Sequence, residues 1–265
     1  SAYPYILDFE KFSQIAQKVE AYLVADISHI AGLIAAGVHP SPVGFVDVIT
    51  TTTHKTLRGP RGAMILITKK GLEKDNDLPN KIDKSVFPGL QGGPHENQIA
   101  ALAVALEEAK TPEFKKYSEQ IIKNTKVLGE LLGCQSENHL ILWDLSKYGF
   151  GLGFQMHLAL EEVGIYVNKN TVPGEKASPF YPSGIRLGTP ALTSRGMKEK
   201  DMEKIADWIL EILEEVKGND LPEKNENRKK FIEDFKLKIK DNEVIKRIKK
   251  EVEEFASKFS APGID

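Results

Sequence analysis

The sequence predicts an α/β fold, a mostly parallel sheet with helices, followed by a smaller α+β C-terminal domain. Three observations predict it. Short apolar strands alternate with helical segments over the first 70 residues, two neighbouring strands end at charged side chains, and the second half carries longer helices around a few isolated strands. Residues 8–22 place Phe9, Phe12, Ile15, Ala16 and Val19 at helical spacing, with Asp8 positioned to cap the helix. Residues 21–26 read as a buried strand ending at Asp26. Residues 30–36 read as a short apolar helix stopped by Gly37 and Pro40. Strands follow at 46–50 and 62–68. Residues 73–94 are polar and rich in Gly and Pro, so they read as a long loop, and long ordered loops tend to be functional. Helical patterning then runs from Glu96 to about Leu132, with a break near Thr111-Pro112. Further strands are expected at 139–144, 165–167 and 183–188, and helices at 153–163 and 198–216. A polar hinge, 217–227, leads to one charged, solvated helix over 228–259. The boundary between the domains is expected in the long helix after Gln98, giving domains 1–103 and 104–265.

Composition narrows the function classes. The 265 residues are 41% hydrophobic and 28% charged, with a net charge of −2. That balance gives no global electrostatic case for nucleic acid or a membrane surface. No apolar run approaches the ~18 residues of a membrane span. The single cysteine, Cys134, excludes an internal disulfide, fits a reducing, cytoplasmic compartment and reads as a buried residue of an apolar stretch. No His/Cys cluster has metal-ligand spacing, so no metal is expected. His95, His139 and His157 read as structural. Ser1 is not a methionine, and the chain is expected to start partway into a longer protein.

The chemistry concentrates at two strand ends. In open α/β sheets, ligands sit at the carboxyl ends of strands, so Asp26 and Lys55 can converge on one ligand. Each alone has a plain reading, Asp26 as a cap or surface residue and Lys55 as an exposed lysine. The surroundings add weight: Thr50-Thr-Thr-Thr-His-Lys-Thr56 crowds hydroxyls and an imidazole around the amine, and Gly59-Pro-Arg-Gly62 adds the fixed cation Arg61. Hydroxyl and backbone donors of this kind suit a phosphate. The threonine run also fits plain β-propensity, which leaves the adjacent His-Lys unexplained. An amine that bonds an aldehyde and a carboxylate that keeps a pyridine nitrogen protonated are the minimum kit for pyridoxal phosphate (PLP).

Longer motifs carry a resemblance. Val24-Ala-Asp-Ile-Ser-His-Ile-Ala-Gly-Leu-Ile-Ala-Ala-Gly37, Thr50–Gly62, Val86-Phe-Pro-Gly-Leu-Gln-Gly-Gly-Pro-His95, Val167-Asn-Lys-Asn170 and Ser183-Gly-Ile-Arg-Leu-Gly-Thr-Pro190 resemble serine hydroxymethyltransferase, in order along nearly the whole chain. The resemblance implies a fold-type I PLP enzyme, with residues 1–103 as the C-terminal part of its PLP-binding large domain. It implies transfer of a one-carbon unit between serine and tetrahydrofolate, giving glycine and 5,10-methylenetetrahydrofolate. It implies a homo-oligomer, a dimer or a dimer of dimers. By the same resemblance Lys55 is the Schiff-base lysine, Asp26 pairs with the pyridinium nitrogen, and His29 belongs to the cofactor network. Ser1 lies against the cofactor, and Thr52 and His54 line the site, His54 near the phosphate. Arg61 helps to position cofactor and substrate. Gly92 and Gly93 offer backbone N–H groups to the phosphate of the other subunit. Arg186 clamps the amino-acid carboxylate, a task suited to its planar fork, and Asn170 touches the pterin end of folate. Gly92-Gly93 also reads as a simple turn.

Family members carry a long segment before the position of Ser1, which supplies an imidazole stacked on the cofactor ring, a proton-handling glutamate and several tyrosines. The 265-residue chain by itself is therefore expected to be weak or inactive, and a separate N-terminal chain is one possible partner. Two other readings stay open: a different fold-type I enzyme such as a threonine-type aldolase, and a non-catalytic fragment acting in assembly.

Overall fold

A computed structural model describes residues 2–222 and 224–263. The chain divides into two compact units, Ser1–Glu119 and Gln120–Asp265.

In the first unit, α1 (Phe9–Lys18) starts at Asp8, whose carboxylate accepts the Lys11 N–H at 3.0 Å as a helix cap. It buries Phe9, Ser13 and Ala16. Strand β1 (Val24–Asp26) lies parallel to β2 (Val48–Thr52), with Asp26 opposite Thr50, and the short helix α2 (Ala31–Ala35) lies between them in sequence. Strand β3 (Ala63–Ile67) runs antiparallel to β2, so the expected mostly parallel sheet is, among the described residues, a mixed sheet of order β1-β2-β3. The turn from Gly59 to Gly62 is short enough to fold β3 straight back on β2, and this reversal accounts for the difference. The expected loop over 73–94 is largely helical. It contains the end of α3 (Lys69–Lys74), then α4 (Leu78–Lys84) and a π-type turn, Ser85–Leu90. Pro79 sits in the first turn of α4, where proline favours a helix rather than breaking it. The helix α5 (Glu96–Glu108) leads into α6 (Pro112–Leu131), which restarts at a proline for the same reason.

The second unit is built on an antiparallel sheet. Strand β6 (Gly184–Gly188) lies between β4 (Leu140–Asp144) and β5 (Asn168–Asn170), so the strand expected at 165–167 forms three residues later. Its core packs Ile141, Trp143, Ile185 and Leu187 of the sheet against Met156, Ala159 and Leu160 of α7 (Leu152–Glu162) and Met202, Trp208, Ile209 and Leu213 of α9 (Glu199–Val216). At Gly153 the backbone of Gly184 comes within 2.3 Å of where a Cβ would stand, so only glycine lets α7 approach β6 this closely. A short helix, α8 (Pro190–Ser194), joins the sheet to α9.

The C-terminal run corrects the expectation of one solvated helix. It forms α10 (Asn225–Asp241) and α11 (Glu243–Ala256), separated at Asn242, which adopts an extended conformation and caps α11 by accepting the Ile245 N–H at 3.0 Å. Phe235, Ile239, Ile245 and Ile248 are buried in the core, so the charge-rich pattern hides an apolar stripe. Cys134 is half-buried, and burial pushes its thiol up to about 11. No helix among the described residues is long and apolar enough to cross a membrane.

Candidate active site

The site is assembled by the parallel pairing of β1 and β2. Register places Asp26 at the end of β1 opposite Thr50. The Thr50 hydroxyl donates to Asp26 Oδ2 at 3.0 Å, and the Ser28 N–H donates to Asp26 Oδ1 at 3.1 Å. Both donors favour the ionised carboxylate. Ser28 then bridges to the second strand: its Oγ accepts the Thr52 N–H at 2.9 Å, and its carbonyl accepts the Thr52 hydroxyl at 3.4 Å. Lys55 Nζ donates to Thr52 Oγ1 at 2.9 Å. A continuous chain of hydrogen bonds therefore joins Asp26, Ser28, Thr52 and Lys55. Lys55 lies three residues beyond the last residue of β2 rather than at its end.

The turn that carries Lys55 is held from below by α2. The Thr56 hydroxyl donates to the His29 carbonyl at 2.8 Å and accepts the Gly32 N–H at 3.1 Å. A Cβ at Gly32 would meet the Thr56 carbonyl oxygen at 2.1 Å, so this contact requires glycine. Farther along, the Thr53 hydroxyl donates to the Pro60 carbonyl at 2.5 Å, and Gly59 N–H donates to the Thr53 carbonyl at 2.7 Å. These bonds close residues 53–62 into a tight loop and fix where Lys55 and Arg61 leave the backbone.

The charge pattern points to an anion. No carboxylate among the described residues forms an ion pair with Lys55 or Arg61. His54 feels the charge of both. Burial first, then the charges of Lys55 and Arg61, hold its imidazole below the usual histidine range, and its buried Nδ1 has no hydrogen-bond partner. A half-buried amine, a neutral imidazole with a spare nitrogen and an unpaired guanidinium fit a phosphate-bearing aldehyde, with Asp26 supplying a carboxylate at the far end of the network. These residues fit PLP.

The remaining expected residues fall as follows. His29 is half-buried in the turn before α2, at the level of Ser28 and Thr56. Gly92 and Gly93 are exposed, with open space where side chains would stand. Arg186 and Asn170 belong to the second unit. Arg186 pairs with Asn168 across β5 and β6, and Asn170 with Gly184, so Arg186, Asn168 and Asn170 share one sheet face. Ile185 and Leu187 occupy the opposite, core face. Ser1 lies outside the described residues. His157 Nδ1 contacts the Val167 carbonyl at 3.0 Å, His139 is buried, and His95 is the residue that precedes α5. Sequence reasoning did not single out Ser28, and it read Thr50 as one of the hydroxyls around Lys55, not as a donor to Asp26. That bond was legible only through strand register, whereas Ser28, two residues after Asp26, fits the short-range pattern in which an Asp accepts a backbone N–H two positions on.

Comparison with known proteins extends this agreement beyond the site. The family model for serine hydroxymethyltransferase matches residues 1–209. A serine hydroxymethyltransferase of Methanospirillum hungatei is 51% identical over 231 residues, covering 84% of this chain and 54% of that protein. The cytosolic serine hydroxymethyltransferase of Aspergillus fumigatus is 46% identical, covering 99% of this chain and 59% of its own length. The mitochondrial one of Eremothecium gossypii is 43% identical, covering 99% and 56%. The chain thus spans somewhat more than half the length of these relatives. The family match takes in both the Asp26–Lys55 network and the strand of Arg186, and the chain belongs to the serine hydroxymethyltransferase family.

Proposed function

We propose that this chain is the part of a PLP-dependent serine hydroxymethyltransferase that carries the cofactor lysine, interconverting serine and tetrahydrofolate with glycine and 5,10-methylenetetrahydrofolate. The observation that carries the reading is the hydrogen-bonded path from the Asp26 carboxylate through Ser28 and Thr52 to the Lys55 amine, with His54 and Arg61 beside it. PLP, when bound, supplies an electron sink for the bond changes at the amino acid. Lys55 would bond its aldehyde carbon. Asp26, its carboxylate already stabilised by two donors, would hold the proton on its ring nitrogen. Arg61 would face its phosphate as the charged donor, with His54 near the phosphate beside Lys55. Thr52 would orient Lys55. His29 would complete the cofactor pocket, and Ser1 is assigned there on family resemblance alone.

On the second unit, Arg186 would bind the substrate carboxylate through its planar fork. Asn170, on the same sheet face, would meet folate. We take residues 1–103 as the cofactor-binding domain's C-terminal part and 104–265 as the small domain. The working assembly is a homodimer, alone or paired, in which the open backbone at Gly92 and Gly93 serves the partner subunit's phosphate. The single cysteine favours a reducing setting, such as the cytoplasm; the Aspergillus relative is named cytosolic and the Eremothecium relative mitochondrial, and both compartments stay open.

The test is borohydride reduction of the purified protein after incubation with PLP, followed by peptide mass analysis. A PLP-sized increment on the peptide containing Lys55, absent in Lys55→Ala, is expected. An increment spread over surface lysines would overturn the assignment. Serine-to-glycine turnover that requires tetrahydrofolate distinguishes this reaction from aldolase cleavage, which needs none.

A further inference from the structure

The connection between β5 and β6 holds a carboxylate to which the reaction proposed above gives no part. It runs over 171–183 and joins the strand of Asn170 to the strand of Arg186. Hairpin connections are usually about two to five residues long, so a loop of this length needs internal ties to keep its ends in place. The need is sharpened by β5, a three-residue strand at the edge of the sheet. Its hold on β6 is the weak side of the face that Asn168, Asn170 and Arg186 share.

Glu175 supplies the ties. Its Oε1 accepts the Ala177 N–H at 2.9 Å and the Ser183 hydroxyl at 2.8 Å, and its Oε2 accepts the Ser183 N–H at 2.8 Å. Both donors of Ser183 therefore end on one carboxylate. The Ser183 carbonyl accepts the Leu145 N–H at 3.1 Å, so the N–H, hydroxyl and carbonyl of this buried residue are all engaged. Ser183 directly precedes Gly184, where β6 begins. A Cβ at Gly184 would stand 2.4 Å from the Val172 side chain and 2.8 Å from the Asn170 carbonyl oxygen, so the two ends of the loop meet at this point. Burial opposes the charge of Glu175, yet the Ser183 and Ala177 donors hold its carboxyl below the usual range. Two oxygens that both accept are what this grip requires; an amide offers one acceptor and turns an NH2 group towards the other donor.

We propose that Glu175 is a positioning residue, which by gripping Ser183 keeps the end of β5 on the start of β6 and so holds Arg186 and Asn170 aligned for a ligand that bears a carboxylate. The inference rests on the reading of Arg186 as the group that binds the substrate carboxylate. Recognition by a guanidinium fork is directional, so a small shift of the strand is felt as lost affinity.

Glycine is the probe, and methylamine is the comparison, an amine of similar size with no carboxylate for Arg186. Both are titrated against the PLP-loaded protein by absorbance. In the unaltered protein glycine should bind at least about ten-fold more tightly than methylamine, the scale of one charge-assisted contact. Glu175→Gln should weaken glycine about three- to ten-fold, leave methylamine and the PLP increment on the Lys55 peptide unchanged, and quicken hydrogen exchange at the Ala177 and Ser183 N–H groups. Equal binding of glycine and methylamine by the unaltered protein sinks the Arg186 reading, and the proposal with it. A preference for glycine that Glu175→Gln leaves intact overturns the positioning role alone. Parallel loss of glycine and methylamine means general damage and overturns it as well. If Glu175→Gln does not fold, Ser183→Ala decides: it removes only the hydroxyl donor and should weaken glycine about two- to three-fold with methylamine unchanged.

Discussion

The two units solve different problems with similar means. In the second unit a three-stranded sheet is covered by α7 and α9 and closed by α10 and α11, and its core is continuous from Leu128 to Ile248. In the first, a sheet of the same strand count carries the proposed cofactor site, yet several large apolar residues stay exposed. Ile65 and Leu66 on β3 are 43% and 46% exposed, and Ile99 and Val104 on α5 are 56% and 61% exposed. Successive residues of a strand point to opposite faces, so Ile65 and Leu66 leave both faces of β3 partly open, whereas the sheet of the second unit buries Ile141, Trp143, Ile185 and Leu187. The proposed cofactor site sits on the unit whose loop 53–62 is ordered by polar bonds, namely Thr56 to His29, Thr53 to Pro60 and Lys55 to Thr52.

Core truncation should break the contrast most visibly. Leu160 is fully buried between α7 and the rest of the second core. Leu160→Ala should cost about 2–5 kcal/mol, read as a lower denaturation midpoint of tryptophan emission. On the first unit Thr52→Val keeps the branched shape suited to β2 but removes the hydroxyl that accepts from Lys55. A loss of about 0.5–1.5 kcal/mol is expected, together with roughly three- to ten-fold weaker PLP binding by absorbance titration. Equal PLP affinity in Thr52→Val would detach Thr52 from the site. Ile65→Thr on exposed β3 should change stability by no more than about 0.5 kcal/mol, and should lower self-association measured by light scattering.

The legibility of the chain follows the same divide. Asp26 is readable because an apolar run stops and a carboxylate follows; Lys55 is readable through the threonine-histidine run before it, although it lies three residues past the end of β2. Arg186 came with its strand, flanked by Ile185 and Leu187 at the two-residue period. Ser28 joins the network through one local bond to Asp26 and two bonds to Thr52 that only the folded pairing of β1 and β2 creates. The sheet's mixed direction was hidden because a strand's sequence does not state its polarity, and the short return through Pro60 was the sole clue. Residues 73–94 read as a loop because the stretch is polar and rich in Gly and Pro, yet Pro79 stands at the start of α4, where it lacks only an N–H that the helix does not use. The break at Asn242 was missed because the Lys/Glu pattern runs on through it, though Asn before Glu243 is a helix-start signal.

Acid should separate the two units in order. His54 is held below its ordinary range, so the folded first unit takes up its proton less readily than the unfolded chain does. Its contribution to stability is present above the unfolded value of about 6.5 and is lost as pH falls through the folded one. Glu251 is also lowered, to about 2, chiefly by the Trp208 N–H and then by Arg247 and Lys204. Its contribution is present above the unfolded carboxyl value, about 4.3, and disappears only as pH falls towards about 2. The effect is the smallest of the set, because Glu251 is about a third exposed and solvent screens its ion pairs. Protection factors for hydrogen exchange over 53–62, corrected for the slower intrinsic exchange in acid, should therefore fall first, below about pH 6.5. The emission of Trp208, whose indole N–H rests on Glu251, should hold until the carboxyl titrates. His54→Gln should flatten the first step and leave the second in place. Emission that moves together with exchange at residues 53–62, through the histidine window, would mean that the two units do not respond to acid separately.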